Sequence, residues 1–241
     1  MTASLNDPYT ERVALVTGSS RGVGRLIAEH FLYGGARVIG VARGGSDLAH
    51  ERYQHIEADV ADAAAVNALF ASLRTAGTAP DIVVNNAAVL TSQYAMIMPA
   101  SAAEAMLAVN LLAPFLVSRE AAKLMRKKKW GRIINIGSMA ASLEPAGDSV
   151  YAACKTGLST LANVMAKEFA PMNVTCNTLA ITAFETDMLR QLPRDKIDAV
   201  IAGLPLPRYA TADDILNVVD FFASERSSYV TAQTLFLGGV H

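Results

Sequence analysis

The chain has 241 residues, of which 52% are hydrophobic, and a formal net charge of −1 at pH 7. This length suits one α/β domain with a sizeable core. A net charge so close to zero gives no electrostatic basis for binding nucleic acid or an anionic membrane. Cys154 and Cys176 are too few for a disulfide framework, and we expect both to be reduced core residues.

The N-terminal segment is polar and has no apolar stretch typical of a signal peptide. We find no run that approaches the ~18 apolar residues of a membrane span. These features predict a cytoplasmic protein with a flexible arm over residues 1–10 and a single domain over residues 11–241.

Strand-like and helix-like segments alternate along the chain, which predicts an α/β fold with a parallel sheet. The predicted strands cover residues 12–16, 36–41, 54–58, 81–84, 131–136, 173–177 and 234–237. The predicted helices cover residues 25–32, 63–74, 103–128, 151–169 and 212–223. We expect an interruption of the long helix near Pro114 and a less regular, proline-bearing stretch over residues 182–207.

A glycine-rich turn connects the first predicted strand to the first predicted helix, with the sequence Thr17-Gly18-Ser19-Ser20-Arg21-Gly22-Val23-Gly24. Glycines in this position let the backbone turn tightly and approach a pyrophosphate, and the helix N-terminus offers free N–H groups. The context of strand, turn, helix and second strand favours a dinucleotide site. The alternative is a purely structural turn.

Tyr151 and Lys155 are four residues apart in a predicted helix and therefore lie on one face of it. An ammonium about 4 Å from a phenol favours the phenolate by roughly 4 kcal/mol at an effective dielectric of ~20. This would lower the tyrosine pKa toward the operating pH, where general acid–base catalysis is efficient. The pair gains weight from Ser138, which ends an apolar run upstream.

Taken together, these motifs resemble those of the short-chain dehydrogenase/reductase family, from about Glu11 to Gly239. The family elements appear in order as Thr17-Gly18-x-x-x-Gly22-x-Gly24, Asp59-Val60, Asn85-Asn86-Ala87, Asn110, Ser138 and Tyr151-x-x-x-Lys155. The resemblance implies a Rossmann-type doubly wound parallel sheet, with helices on both faces, that binds a nicotinamide cofactor. Within the family, Phe184–Met188 and Tyr229–Leu235 look most like segments of β-ketoacyl-(acyl carrier protein) reductases.

The resemblance also implies roles for four catalytic residues in reversible hydride transfer. Ser138 would hydrogen-bond the substrate carbonyl oxygen, and Tyr151 would donate a proton to it. Lys155 would lower the Tyr151 pKa and hold the nicotinamide ribose, while Asn110 would keep a water in a proton relay. For Asn110 the alternative is that it only caps or kinks the long helix.

The cofactor contacts implied by the resemblance are Gly18, Ser20, Arg21, Gly22, Val23, Gly24, Arg43, Asp59, Val60, Asn86, Ala87, Tyr151, Lys155, Ile181 and Thr186. The end of the second strand carries no acid to hold a ribose 2′-hydroxyl, and Arg43 stands there instead. With Arg21, this arginine predicts NADPH rather than NAD. The alternatives are a solvated loop residue for Arg43 and a helix N-cap for Asp59.

The sequence departs from the family pattern in three places. Ala88 replaces the glycine of Asn-Asn-Ala-Gly, Ala180-Ile181 replaces the usual Pro-Gly pair, and Leu237 replaces a polar residue before Gly238. The second change allows a different local loop, in which Ile181 shapes the substrate or nicotinamide pocket. The four histidines show no metal-ligand spacing, so we expect no catalytic metal.

Several substrates and one non-enzymatic role remain open. Lys127-Lys128-Lys129 matches one basic position used by related reductases to dock an acidic acyl carrier protein, with Lys129 as the best match, whereas Met172 stands at another. We expect the substrate to be a 3-oxoacyl thioester. The alternative for the lysines is a solvated helix C-terminus, where the helix dipole favours positive charge. A free ketone, a sugar or a specialised metabolite is the second possibility, and a cofactor-binding sensor without turnover is the third. By resemblance we also expect a homotetramer or homodimer.

Overall fold

The alternating segments form one parallel sheet in the computed structural model, which describes residues 8–240. Its seven strands are ordered β3-β2-β1-β4-β5-β6-β7. They are β1 (Val13–Thr17), β2 (Arg37–Ala42), β3 (Tyr53–Glu57), β4 (Ile82–Asn85), β5 (Gly131–Ser138), β6 (Val174–Ile181) and β7 (Thr234–Phe236). All neighbouring strands pair in parallel, which confirms the predicted doubly wound α/β fold.

Helices cover both faces of this sheet. They are α1 (Gly22–Tyr33), α2 (Ala63–Thr75), α3 (Ala100–Leu107), α4 (Ala113–Lys128), α5 (Ala140–Leu143), α6 (Ser149–Phe169), α7 (Arg194–Ala202) and α8 (Ala212–Ala223). Helices α2, α4 and α6 bury apolar residues against one face, and α1 and α8 do so against the other. The central strands β1, β2, β4, β5 and β6 are largely buried, which explains their mostly apolar sequences, whereas the edge strands β3 and β7 are only partly buried.

A π-helical segment, Ala108–Leu112, joins α3 to α4. Pro114 lies in the first turn of α4, where its missing N–H costs little. The interruption predicted near Pro114 is therefore present, and it begins a few residues earlier. Such segments often mark functional positions in helices.

Counted together, α3, the π-helical segment and α4 span Ala100–Lys128, a stretch long and apolar enough to cross a membrane by length and composition alone. The expectation that no segment approaches this limit was therefore wrong. Leu116, Val117 and Met125 on this helix belong to the buried core against the sheet. The apolar composition of the helix therefore reflects its role as a core helix.

The chain ends and the region around β6 add detail to the prediction. The less regular stretch over residues 182–207 contains α7 and a short 3₁₀ helix at Leu189–Gln191, which the sequence pattern did not predict. β6 continues through Ile181, so no separate turn replaces the usual Pro-Gly pair. Of the predicted N-terminal arm, residues 1–7 lie outside the described residues, whereas Tyr9 is buried against Phe31.

Candidate active site

The carboxyl ends of the strands bring the predicted site residues to one edge of the sheet. The glycine turn follows β1, Asn86 and Ala87 follow β4, and Ser138 and Ile181 end β5 and β6. This edge is where open α/β sheets bind their ligands. Arg43, Asp59 and Val60 follow β2 and β3, so they lie at the same edge, on the other side of β1 from Asn86 and Ser138.

Backbone geometry requires glycine in the turn between β1 and α1. Gly18 and Gly22 have φ angles of +67° and +59°, which side chains other than glycine rarely adopt. A Cβ atom at Gly24 would lie 2.2 Å from the Gly18 carbonyl oxygen. The turn is therefore closed tightly on the first turn of the helix.

Thr17 and Asn86 hold the glycine turn against β4. The Thr17 hydroxyl accepts hydrogen bonds from the N–H groups of Asn86 (3.0 Å) and Ala87 (3.1 Å). The Asn86 side-chain amide donates to the carbonyls of Thr17 (2.9 Å) and Gly18 (3.2 Å). The Asn86 side chain thus positions the turn, and the sequence analysis assigned Thr17 no role of its own.

The N-terminus of α1 fits a pyrophosphate. Arg21 occupies its N-cap without a capping hydrogen bond from its side chain, and the first turn contains no acid. Ser20 lies in the turn itself, and Val23 is buried against the core beneath it. Uncapped N–H groups at a helix N-terminus favour an anion. This end of the helix therefore suits the diphosphate of a dinucleotide.

A polar network that the sequence analysis missed lies beside the end of β2. The Tyr53 hydroxyl is 3.3 Å from the Ser19 hydroxyl and 3.2 Å from His55 Nδ1. His55 Nε2 is 2.8 Å from the Gly44 carbonyl oxygen. A Cβ at Gly40 would lie 2.1 Å from the Tyr53 hydroxyl, so glycine is required there. The network orders the loop that carries Arg43, and the alternating polar residues of β3 were its only sequence signal.

Arg43 is exposed just after the last residue of β2. Glu57 pairs in register with Ala42, and its carboxylate is 3.5 Å from where a Cβ at Gly45 would lie. An acid therefore does stand near the end of β2, although it comes from the neighbouring strand. Only the tertiary structure brings Glu57 to this place.

Asp59 is not the N-cap of the next helix, which was its alternative role. Asp62 caps α2 by accepting the Ala64 N–H at 2.8 Å. Asp59 instead accepts the Ala61 N–H at 2.9 Å within its own turn. Val60 is buried and lines a small gap together with Thr17 and Ala87, beside the glycine turn.

Ser138, Tyr151 and Lys155 meet at the end of β5 and the start of α6. The hydroxyls of Ser138 and Tyr151 are hydrogen-bonded to each other. The Lys155 ammonium lies 5.7 Å from the centroid of the Tyr151 ring and donates to the Ile136 carbonyl at 2.8 Å. Both Tyr151 and Lys155 are buried. The arrangement places a hydroxyl, a phenol and an amine around one point.

Burial controls the protonation of this group. Desolvation raises the pKa of Tyr151 to about 12, and the Asp148 carboxylate acts in the same direction, while the hydrogen bond from Ser138 opposes them. Desolvation also lowers the pKa of Lys155 to about 8. In the structure, desolvation outweighs the expected lowering of the Tyr151 pKa by Lys155. The physical reason is that removal of both groups from water disfavours both charges.

Asn110 lies in the π-helical segment and is buried. Its side chain accepts the Val89 N–H at 2.9 Å and donates to the Val89 carbonyl at 2.8 Å. Asn110 therefore lies where the helix meets the loop after β4, and its side-chain amide bonds both the N–H and the carbonyl of Val89. A part in a proton relay remains a prediction.

Ile181 and Thr186 border the site from β6. Ile181 pairs in register with Ser138, and its carbonyl accepts the Met139 N–H at 2.9 Å. The Thr186 methyl lies 3.5 Å from where a Cβ at Gly22 would be. Arg21 forms an exposed ion pair of 3.9 Å with Asp187. The segment after β6 therefore closes over the glycine turn.

Apolar residues form the walls around Tyr151. Met106, Ala140 and Tyr151 pack together with Val89, Leu90, Met98 and Val150. Met139, Leu189, Leu192 and Tyr209 pack on a second cluster of Ala183, Ile197 and Ile201. Asp148 is the exception: it is buried three residues before Tyr151, and its Oδ1 atom has no hydrogen-bond partner. Asp148 lies on the turn preceding Tyr151, and the sequence motifs gave this carboxylate no chemical role.

The lysines proposed for carrier docking lie at the opposite edge of the sheet. Lys127 and Lys128 end α4, just before the first residue of β5, whereas Ser138 ends that strand. At about 3.3 Å per residue, β5 separates the two by roughly 23 Å. Lys128 is moreover engaged with Asp81 and the Ala79 carbonyl, each at 2.8 Å. Within one chain the lysines are therefore remote from Tyr151.

Comparison with known proteins identifies the family. A family model described as short chain dehydrogenase matches residues 12–197. The chain belongs to the short-chain dehydrogenase family. It is accordingly an NAD(P)-dependent oxidoreductase, as the resemblance implied.

Short-chain dehydrogenases of known sequence and structure are similar over nearly the whole chain. The 3-oxoacyl-[acyl-carrier-protein] reductase FabG of Salmonella typhimurium is 36% identical over 237 residues, covering 96% of this chain and 97% of that protein. A mutant short-chain dehydrogenase/reductase of Serratia marcescens is 31% identical, with a TM-score of 0.87 and coverage of 97% and 99%. A short-chain dehydrogenase of Leptospira borgpetersenii with bound NAD+ shares the fold, with a TM-score of 0.89 at 24% identity and coverage of 100% and 96%.

Proposed function

We propose that this short-chain dehydrogenase reduces a ketone to a secondary alcohol with NADPH. The observation that supports this most strongly is the meeting of Ser138, Tyr151 and Lys155 beside an uncapped helix N-terminus. A proton donor and a diphosphate site at one edge of the sheet are what the reaction requires. The bound nicotinamide would supply the hydride.

The protein's own groups have distinct tasks in this proposal. Ser138 donates a hydrogen bond to the carbonyl oxygen, and Tyr151 gives its proton to the same oxygen as negative charge develops there. Since burial keeps Tyr151 protonated, the phenol is ready to act as an acid. The Lys155 amine lies next to the Tyr151 ring and can hydrogen-bond the ribose hydroxyls of the nicotinamide cofactor. The apolar residues around Tyr151 exclude water from the site.

The first test of the reaction is Tyr151→Phe. Loss of the phenol should lower kcat by at least about 10³-fold, because the general acid is gone. Cofactor affinity, measured by fluorescence titration, should change less than about twofold, since the glycine turn is untouched. Turnover close to that of the unmodified enzyme would contradict the assignment. Tight cofactor binding without turnover of any carbonyl by the unmodified protein would instead support a sensor.

The preference for NADPH rests on Arg43, with Arg21 nearby on the turn. Arg43→Ala should raise the KM for NADPH about tenfold or more and leave the KM for NADH nearly unchanged, because only NADPH carries the 2′-phosphate. Arg37→Ala is a matched control, because this exposed arginine begins the same strand at its other end. Equal effects on both cofactors would show that Arg43 does not read the phosphate.

We propose a 3-oxoacyl thioester as the substrate, because relatives with about 35% identity are named as reductases of such compounds. The apolar walls around Tyr151 suit an acyl tail. They also suit a free apolar ketone, which is the second candidate. An acyl carrier protein as partner and a cytoplasmic location remain predictions.

A further inference from the structure

Substrate must reach Tyr151 through the loops at the carboxyl edge of the sheet. Three segments surround this entrance: residues 86–99 after β4, residues 139–148 after β5 and residues 182–207 after β6. The first two are joined by a hydrogen bond of 2.8 Å from the Gln93 N–H to the Gly147 carbonyl. Met139 packs on the cluster formed by the third segment. We call these three segments the entrance.

Positive charge is scarce at the entrance. Residues 86–118 and 133–154 contain no lysine, arginine or histidine. The entrance as a whole holds three cations and six carboxylates, Glu144, Asp148, Glu185, Asp187, Asp195 and Asp198. Two of the three cations are engaged within it, because Arg190 lies 3.5 Å from Asp187 and Arg194 lies 3.7 Å from Glu185. An incoming polyanion therefore meets net negative charge.

The surface of the entrance is apolar where it is not acidic. Tyr94, Met96, Ile97 and Leu143 are all exposed there. Exposed apolar side chains beside an apolar pocket favour a ligand whose own surface is apolar. The lysines proposed to dock an acidic protein lie roughly 23 Å away, at the far end of β5. The negative charge of the entrance and the distance of these lysines both argue against an acidic partner protein.

We infer that the substrate is an uncharged 3-oxo compound with an apolar tail, taken up free and not on an acidic carrier protein. This inference rests on the proposed ketone reduction and favours its second substrate candidate, a free apolar ketone, over a carrier-bound thioester. An acidic carrier would be repelled by the entrance carboxylates, and its approach would improve as salt screens them. Neither the repulsion nor its screening by salt would apply to an uncharged substrate.

The test compares three thioesters that carry the same 3-oxobutyryl group, together with the free ester ethyl 3-oxobutanoate. The thiols are N-acetylcysteamine, which is uncharged, coenzyme A, which is anionic, and an acyl carrier protein. We expect kcat/KM with NADPH to be at least about tenfold higher for an uncharged substrate than for the carrier thioester at 20 mM salt. Between about 20 and 300 mM salt, the carrier rate should rise and the uncharged rate should stay constant.

Glu144 offers a matched variant, since its side chain is an exposed carboxylate of the entrance. Glu144→Lys should raise kcat/KM for the carrier thioester several-fold at low salt, and Glu144→Gln should raise it by a smaller factor. Both variants should leave kcat/KM for the N-acetylcysteamine thioester unchanged. This pattern would separate a charge effect from a change in the pocket.

Two outcomes would overturn the inference and leave ketone reduction intact. One is a preference for the carrier thioester whose rate falls as salt rises. The other is a selective loss of carrier activity in Lys127→Ala/Lys129→Ala, which would mean that a neighbouring copy presents these lysines at the entrance. Failure to reduce any thioester or free ketone would overturn the proposed function, and this inference with it.

Discussion

Tyr151 shows how burial and charge oppose each other within one residue. The phenol accepts a hydrogen bond from Ser138, which favours its ionised form, yet desolvation is the larger effect and raises its pKa to about 12. Asp148, buried on the same turn of chain, adds to this increase. In the reduction direction a protonated tyrosine is the form that the reaction consumes. The local environment therefore keeps Tyr151 in the form that the proposed reduction uses.

Asp148→Asn should shift the pH dependence of alcohol oxidation. Oxidation needs the Tyr151 phenolate as base, so kcat/KM increases as pH rises toward the tyrosine pKa. Removal of the Asp148 charge lowers that pKa, and the rising limb should move to lower pH by on the order of half a unit or more. The measurement is kcat/KM for oxidation between pH 6 and 11. Glu144→Gln, which removes an exposed acid, should leave the limb in place, and an unmoved limb in Asp148→Asn would contradict the role.

At the scale of elements, the site depends on where two helices begin and on a π-helical segment between two others. α1 begins directly at the glycine turn without a side-chain cap, which leaves its N–H groups for an anion. α6 carries Tyr151 and Lys155 in its first two turns, just after β5 delivers Ser138. The π-helical segment between α3 and α4 turns Asn110 toward the Val89 backbone. α1 and α6 thus contribute their N-terminal turns to the site, and the π-helical segment contributes its irregular backbone.

Gly24→Ala tests the closeness of α1 to the glycine turn. The new methyl would lie 2.2 Å from the Gly18 carbonyl oxygen and 2.3 Å from the Asn86 amide, so the turn must move. We expect a loss of stability of about 1–3 kcal/mol and at least about tenfold weaker cofactor binding. Thermal unfolding and cofactor titration measure the two effects. Gly44→Ala is the control, because a Cβ there meets no atom within 4 Å. Unchanged cofactor affinity in Gly24→Ala would show that the turn is not part of the site.

The whole molecule leaves apolar side chains on the outer faces of its longest helices. Leu107, Leu112 and Phe115 are exposed along the helix of residues 100–128, and Val164 is exposed on α6. The described residues of one chain leave these apolar side chains uncovered. We expect a second copy to pack on these two helices in the predicted homotetramer or homodimer.

Light scattering coupled to size-exclusion chromatography tests this assembly. We expect the unmodified protein to have the mass of a homotetramer or homodimer. The double variant Leu112→Glu/Phe115→Glu should shift toward the monomer, because charges buried between copies cost several kcal/mol unless paired. Tyr33→Glu alters a more exposed aromatic residue at the end of α1 and should leave the mass unchanged. A monomeric unmodified protein would refute the assembly.

Local patterns in the sequence were enough to predict the fold and to nominate the site. Alternation of apolar segments predicted the parallel sheet, and the glycine turn and the Tyr151–Lys155 spacing placed ligand and proton donor at one edge. These signals are readable because they depend on neighbours a few residues apart. The helix over residues 194–202 escaped prediction, since its short apolar stripe becomes meaningful only against the cluster it covers.

Only the tertiary structure decided the electrostatics and the placement of charges. The effect of Lys155 on Tyr151 depends on how much water both groups lose, and burial is a property of packing across distant segments. Likewise, Glu57 reaches the end of β2 from the next strand, and the lysines before β5 lie at the opposite edge from Ser138. Spacing along the chain determines which residues share an element. Distances and desolvation between elements arise only when the chain is folded.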